Sequence, residues 1–146
     1  MMSRSLRAAA LLAAIVLAGC GGGGATVAPT AGTSSAPAST GPRPSSPAVV
    51  AVVQPANGAS VVGTSVHVVL SLTGASIVSA TTTDIRPDQG HVHLYVDNVL
   101  VSMNYGLEQD LPVTPGTWVL KAEFVAADHA PFNPRVWSTE VFFTVK

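Results

Sequence analysis

Residues 49–146 consist of short runs of β-forming residues separated by turn signals. The segments SVHVVLSL and HVHLYV alternate apolar residues with other residues at a period of two, as half-buried strands do. Asp97-Asn98 suits a two-residue hairpin turn into the return strand VLVSMNY. No segment of this region combines helical periodicity with capping residues. We therefore expect an all-β domain, an antiparallel immunoglobulin-like β-sandwich of about seven strands, with a small closed barrel as the alternative.

The first twenty residues, MMSRSLRAAALLAAIVLAGC, have the pattern of an export signal. Arg4 and Arg7 precede an apolar run over residues 8–18, which has the length of a signal-peptide core and is too short to span a bilayer. The run ends in LAGC, which is similar to a bacterial lipobox. The pattern predicts a lipoprotein signal peptide over residues 1–19, cleavage before Cys20 and a lipid on Cys20. The alternative is an ordinary secretory signal with an incidental cysteine.

Residues 20–48 separate the signal from the β-rich region. They contain almost only glycine, alanine, serine, threonine and proline, and Arg43 is their one charge. Such a composition buries too little apolar surface to offset the entropy of ordering, so we expect a disordered tether. The chain would then carry its domain, residues 49–146, on the extracytoplasmic side of a bacterial cell membrane or outer membrane, anchored by lipid.

Charge and cysteine content exclude several classes of protein. Past residue 48 there are four basic and eight acidic residues, a formal charge of −4, and no basic patch that would suit nucleic acid. The chain has one cysteine, so an intramolecular disulfide is excluded. Which membrane holds the protein, and its oligomeric state, stay open at this level.

Two histidines lie on one side of a predicted strand, in the segment DQGHVHLYVDN. If this strand pairs antiparallel with TWVLKAEFVA, as the central strands of an immunoglobulin-like sandwich do, its start lies beside the end of its partner. Residues after Ala126 then return near His91. We therefore expect His91, His93, His129 and Asp128 to meet at one rim of the fold.

Two interpretations of this rim remain. An H-x-H pair with a third histidine and a carboxylate would suit a zinc or copper(II) ion. Alternatively, the histidines only form hydrogen bonds that fix the adjoining loops. Asp84 and Asp88 are expected at the same end, His67 at the opposite end, and Met103 is interpreted as a packing residue.

Catalysis is not indicated. There is no serine in a nucleophile-elbow context and no HExxH motif. We expect a non-enzymatic domain, either a binding module for a transition metal or a structural or interaction module with a protein partner in the cell envelope.

The segment from Gly90 to Lys146 resembles a group of small exported bacterial immunoglobulin-like domains of unknown function. The resemblance rests on a Gly-His-x-His stretch, an Asp turn, a Pro-Gly turn and an Asp-His-x-Pro segment. The matching positions are Gly90, His91, His93, Asp97, Pro115, Gly116, Asp128, His129, Pro131, Pro134 and Val136. The resemblance implies an immunoglobulin-like fold and an exported location, but it implies no activity. Members of the group often have a histidine just after the Pro-Gly turn, where this chain has Thr117-Trp118, which weakens a metal role if that histidine is a ligand.

Overall fold

The computed structural model describes residues 41–146, and every regular element in this range is a β-strand. The ten strands are β1 (Val49–Gln54), β2 (Ala59–Val61), β3 (Ser65–Thr73), β4 (Ser76–Ile77), β5 (Gln89–Val96), β6 (Val99–Asn104), β7 (Glu108–Pro112), β8 (Gly116–Ala126), β9 (Pro131–Trp137) and β10 (Val141–Val145). Among residues 41–146 there is no helix of the length and apolarity that a bilayer crossing requires.

The strands form two separate sheets, consistent with a β-sandwich and not with a closed barrel. The smaller sheet has the order β1-β3-β7. The larger sheet has the order β2-β10-β8-β5-β4, with β6 also paired to β5 and β9 to β8. One continuous set of buried side chains lies between the two layers. It includes Val66, Val68 and Leu70 of β3, Val92 and Leu94 of β5, Leu120 and Phe124 of β8, and Phe143 of β10.

The described region has ten strands where the sequence predicts about seven. The closing segment RVWSTEVFFTVK is two strands, β9 and β10, because residues 138–140 between them are not part of a strand. Ser138 still bonds to β8: its amide donates to the Ala122 carbonyl, and its hydroxyl oxygen accepts from the Ala122 amide. The strands β2 and β4 have only three and two residues, too few to produce an alternation signal. These two also pair in parallel, with β10 and β5, so the fold is not purely antiparallel.

The predicted pairing of the two central strands is confirmed. β5 runs antiparallel to β8, with Gly90 opposite Ala126 and Val96 opposite Leu120. The predicted hairpin is confirmed as well: Asp97 and Asn98 have φ angles of 49° and 67°, the left-handed pair that a tight type I′ turn requires. The start of β5 and the end of β8 therefore lie at one end of the larger sheet.

Part of the predicted tether contacts the domain. The Asn133 amide donates to the Pro44 carbonyl, and Ala48 is buried in the core, so the domain extends to the N-terminal side of residue 49. The predicted signal peptide (residues 1–19), Cys20 and the first part of the tether lie outside the described residues.

Gly90, which begins the Gly-His-x-His stretch, lies where no side chain fits. A Cβ built there would overlap the Val125 carbonyl oxygen and come within 2.9 Å of the Phe124 ring. Because the obstacle is mainly backbone, we expect Gly90→Ala to destabilise the domain by about 1–3 kcal/mol, measured by urea unfolding. Gly106→Ala is the matched control, since its nearest neighbour would lie 3.6 Å away. Equal unfolding free energies for the two variants would contradict this explanation.

Candidate metal centre

The strand alternation of β5 decides where its two histidines point. Val92 and Leu94 enter the core between the sheets, so His91 and His93 lie on the opposite, outer face of the larger sheet. His129 lies in the turn between β8 and β9, with a left-handed φ of 67°. Its amide donates to the Ala126 carbonyl, which folds the turn back over the outer face.

The three imidazole rings converge on one point. His91 Nε2 lies 3.1 Å from His93 Nε2 and 2.7 Å from His129 Nδ1. His93 Nε2 lies 3.4 Å from His129 Nδ1, which closes the triangle. Two of the three rings are buried, with His91 0% exposed and His93 5% exposed, while His129 is partly exposed. These three side chains are placed so that they could hold one metal ion.

Burial keeps two of the three rings neutral. It lowers the pKa of His91 to about 3, and the neighbouring His129 and His93 lower it further than Asp128 raises it. Burial likewise lowers the pKa of His93 to about 4, with His129 as the second cause. Near pH 7 both rings therefore keep a lone pair, which is the form that binds metals.

Three ring nitrogens at one meeting point satisfy one another poorly as hydrogen-bonding partners. Each neutral ring has one donor nitrogen and one acceptor nitrogen, and here three nitrogens share a single meeting point. A proton on one of them can be directed at only one neighbour, so at least one close contact lacks a well-placed donor. A cation at the meeting point would accept all three lone pairs at once.

The far side of His129 is held by hydroxyl groups. Its Nε2 lies 2.9 Å from Thr81 Oγ1 and 3.2 Å from the Tyr105 hydroxyl, and these two oxygens lie 2.8 Å apart. A proton on Nε2 leaves Nδ1 as the lone-pair nitrogen toward the other histidines, the arrangement in which outer partners orient a metal-binding ring. The Nδ1 atom of His91 is buried and has no hydrogen-bond partner among the described residues.

Asp128 is bound by the one charged residue of the predicted tether. Arg43 Nη1 donates to Asp128 Oδ2 at 2.7 Å, and Nη2 donates to Oδ1 at 2.9 Å. The same guanidinium donates to the carbonyls of Ala130 and Pro131, each at 2.9 Å. Arg43 therefore ties together the residues on both sides of His129, and the Asp128 side chain is fully buried beneath it.

A second buried carboxylate lies directly beside His93. Glu123 stands opposite His93 in the β5–β8 ladder and is 0% exposed. Arg135 donates to both of its oxygens, at 2.6 and 2.7 Å, and the Tyr95 hydroxyl donates at 3.0 Å. This ion pair compensates the buried charge on the outer face of the sheet.

The residues predicted for the rim are distributed as follows. His91, His93 and His129 meet, while the Asp128 carboxylate binds Arg43. Asp84 is exposed and pairs with Arg86. His67 lies on β3 of the other sheet, exposed and 2.9 Å from Asp110. Arg43, Thr81 and Tyr105 were not predicted as parts of this rim; the only signal for Arg43 is its isolation as a charge in an uncharged segment.

Comparisons with known proteins find a distant structural likeness and no family. No protein-family model and no curated protein matches the chain. Among solved structures, the fibronectin(III)-like modules of Clostridium thermocellum CbhA are similar at 18% sequence identity and a TM-score of 0.48. The match covers 67% of this chain and 46% of that chain, so it spans about half the length of the solved structure.

The Arg43–Asp128 pair gives a testable contribution to stability. Arg43→Ala leaves a buried carboxylate without its guanidinium, and such a loss costs about 3 kcal/mol or more of unfolding free energy. Arg86→Ala is the matched control: its pair with Asp84 is 60% and 71% exposed, so the change should stay below about 1 kcal/mol. Urea unfolding of the full chain measures both. If Arg43→Ala is as mild as Arg86→Ala, the tether segment does not stabilise the His129 turn.

Proposed function

We propose that this chain is an exported, lipid-anchored, non-enzymatic protein whose domain binds one transition-metal ion, copper or zinc, through His91, His93 and His129. The observation that carries the proposal is the convergence of three ring nitrogens, 2.7 to 3.4 Å apart, from two segments distant in the chain. Two nitrogens that bind one zinc ion at about 2.0–2.1 Å lie roughly 3.3 Å apart at a tetrahedral angle. The triangle is therefore close to the size that a single ion requires.

The anchoring part of the proposal is supported by the sequence. An arginine-bearing start, an eleven-residue apolar run and LAGC precede the domain in the order that a lipoprotein signal requires. Cys20 would carry the lipid, and the immunoglobulin-like domain would face the extracytoplasmic side of the membrane. In that location the histidine cluster would meet metal ions from outside the cytoplasm.

A second candidate is a structural or interaction module of the cell envelope in which the histidines only stabilise the rim. It is favoured by the contacts of His129 with Thr81 and Tyr105, which hold the turn without any ion. In this role the domain would act through an envelope protein partner. The two candidates differ in whether the histidine cluster takes up metal.

Metal titration of the full chain separates the candidates. We expect the protein to bind one equivalent of copper or Zn(II), with copper offered as Cu(II) and, under anaerobic conditions, as Cu(I), measured by calorimetry or equilibrium dialysis. The double variant His91→Ala/His93→Ala should lose this binding, because it removes two of three ligands. His67→Ala should bind like the wild type, since that exposed histidine lies on the other sheet.

Two other results would reject the metal role. If the wild type takes up no metal while the double variant melts at a much lower temperature, the histidines are structural. If His67→Ala loses as much binding as the double variant, the ion binds elsewhere on the chain.

Labelling with palmitate tests the anchor. In a bacterium that processes lipoproteins, we expect the wild type to incorporate palmitate and to sediment with membranes. Cys20→Ser should lose both properties, because serine has no thiol to receive the lipid. A wild-type protein that is exported without label would favour the ordinary secretory signal instead.

A further inference from the structure

The identity of the ion is constrained by the acidic side chains near the three histidines. Zinc sites that use histidine commonly add a carboxylate or a water. Asp128 and Glu123 are the carboxylates that act electrostatically on His91 and His93. Both oxygens of each are bound by a guanidinium, those of Asp128 by Arg43 and those of Glu123 by Arg135. Recruiting either carboxylate to an ion would take a buried carboxylate away from its guanidinium, which is costly.

The other neighbour of His93 is a thioether. β6 pairs with β5 on the side away from β8, and Met103 stands directly opposite His93 in that ladder. Directly opposed residues share one face of the sheet, with Cβ atoms about 4.5–5.5 Å apart. Met103 was predicted to be a packing residue, but it is 55% exposed, so its side chain is not held in the core. Three rotatable bonds allow its sulfur to reach toward the histidine cluster.

The charge of the four donor groups, the three imidazoles and the Met103 thioether, favours a soft monovalent ion. Three imidazoles and a thioether are neutral ligands, so they do not compensate the charge of an ion placed beside the buried His91 and His93. The cost of burying charge rises steeply with its magnitude, so a divalent ion here would need an anion from solvent, such as hydroxide, as a further ligand. Thioether ligands suit Cu(I), whereas the usual ligands of zinc are thiolate, imidazole and carboxylate groups.

We propose that Met103 completes the site as its fourth ligand and that the ion it selects is Cu(I). This inference rests on the proposed metal site and names its ion. The half-exposed methionine would form the solvent side of the site, with the three histidines beneath it. An ion held there could be exchanged with a donor or an acceptor on the side of Met103.

The test compares Met103→Leu with the wild type in the full chain. Both carry Cys20→Ser, which removes the one thiol of the sequence as a competing Cu(I) ligand. Cu(I) affinity is measured anaerobically by competition with a chromogenic chelator, and Zn(II) affinity is measured in parallel. Leucine keeps the volume of methionine but lacks the sulfur. We expect it to weaken Cu(I) binding by about tenfold or more and to leave Zn(II) binding within about twofold.

Leu100→Ala is the matched control on the same strand, because Leu100 is also exposed on β6 and stands opposite Tyr95, not His93. It should leave Cu(I) affinity unchanged. X-ray absorption of the Cu(I)-loaded protein adds a direct readout: a sulfur shell in the wild type that is absent in Met103→Leu.

The outcomes separate this inference from the proposed function. If the wild type binds neither Cu(I) nor Zn(II), the metal site itself is rejected. If Cu(I) binds equally to wild type and Met103→Leu, or if the wild type prefers Zn(II), the histidine site stands and the role of Met103 is overturned. A sulfur shell together with a selective loss of Cu(I) affinity supports the inference.

Discussion

The pairing of β5 with β8 is the constraint on which the rest of the site depends. With Gly90 opposite Ala126, the histidine pair lies beside the turn that carries His129. A shift of one residue in this register would exchange the core face of β5 with its outer face. Val92 and Leu94 would leave the core, and the imidazoles would enter it. The same apolar burial that stabilises the sandwich therefore fixes the histidines on the outer face.

Two buried ion pairs explain how polar side chains persist on that face. Glu123 and Asp128 are both removed from solvent, and each is bound at two oxygens by an arginine from outside the β5–β8 pair. Arg43 arrives from the segment before the first strand, and Arg135 from β9. The charges of both carboxylates near the histidine cluster are therefore compensated by guanidinium groups. This charge arrangement underlies our preference for a monovalent ion over a divalent one.

Much of the fold followed from local sequence. The alternation in β3 and β5, the Asp97-Asn98 turn and the pairing that brings His129 to His91 were all predicted and are confirmed. The predicted strand count was too low because β2 is too short to show a period, and because the break at Ser138 has no strong turn residue. The role of Arg43 was missed because its partners lie more than eighty residues away, and composition alone assigned its segment to a tether.

The sequence by itself determined the β character of residues 49–146, the shared face of His91 and His93, and the export pattern that leads to Cys20. These are local properties, because strand periodicity and signal patterns are encoded in neighbouring residues. Only the tertiary structure decided that three ring nitrogens meet within 3.4 Å, that both nearby carboxylates are occupied, and that Met103 faces His93. Those relations depend on the register between strands that are distant in the sequence, and on which buried charged side chains pair with each other. Neither can be read from a local sequence pattern.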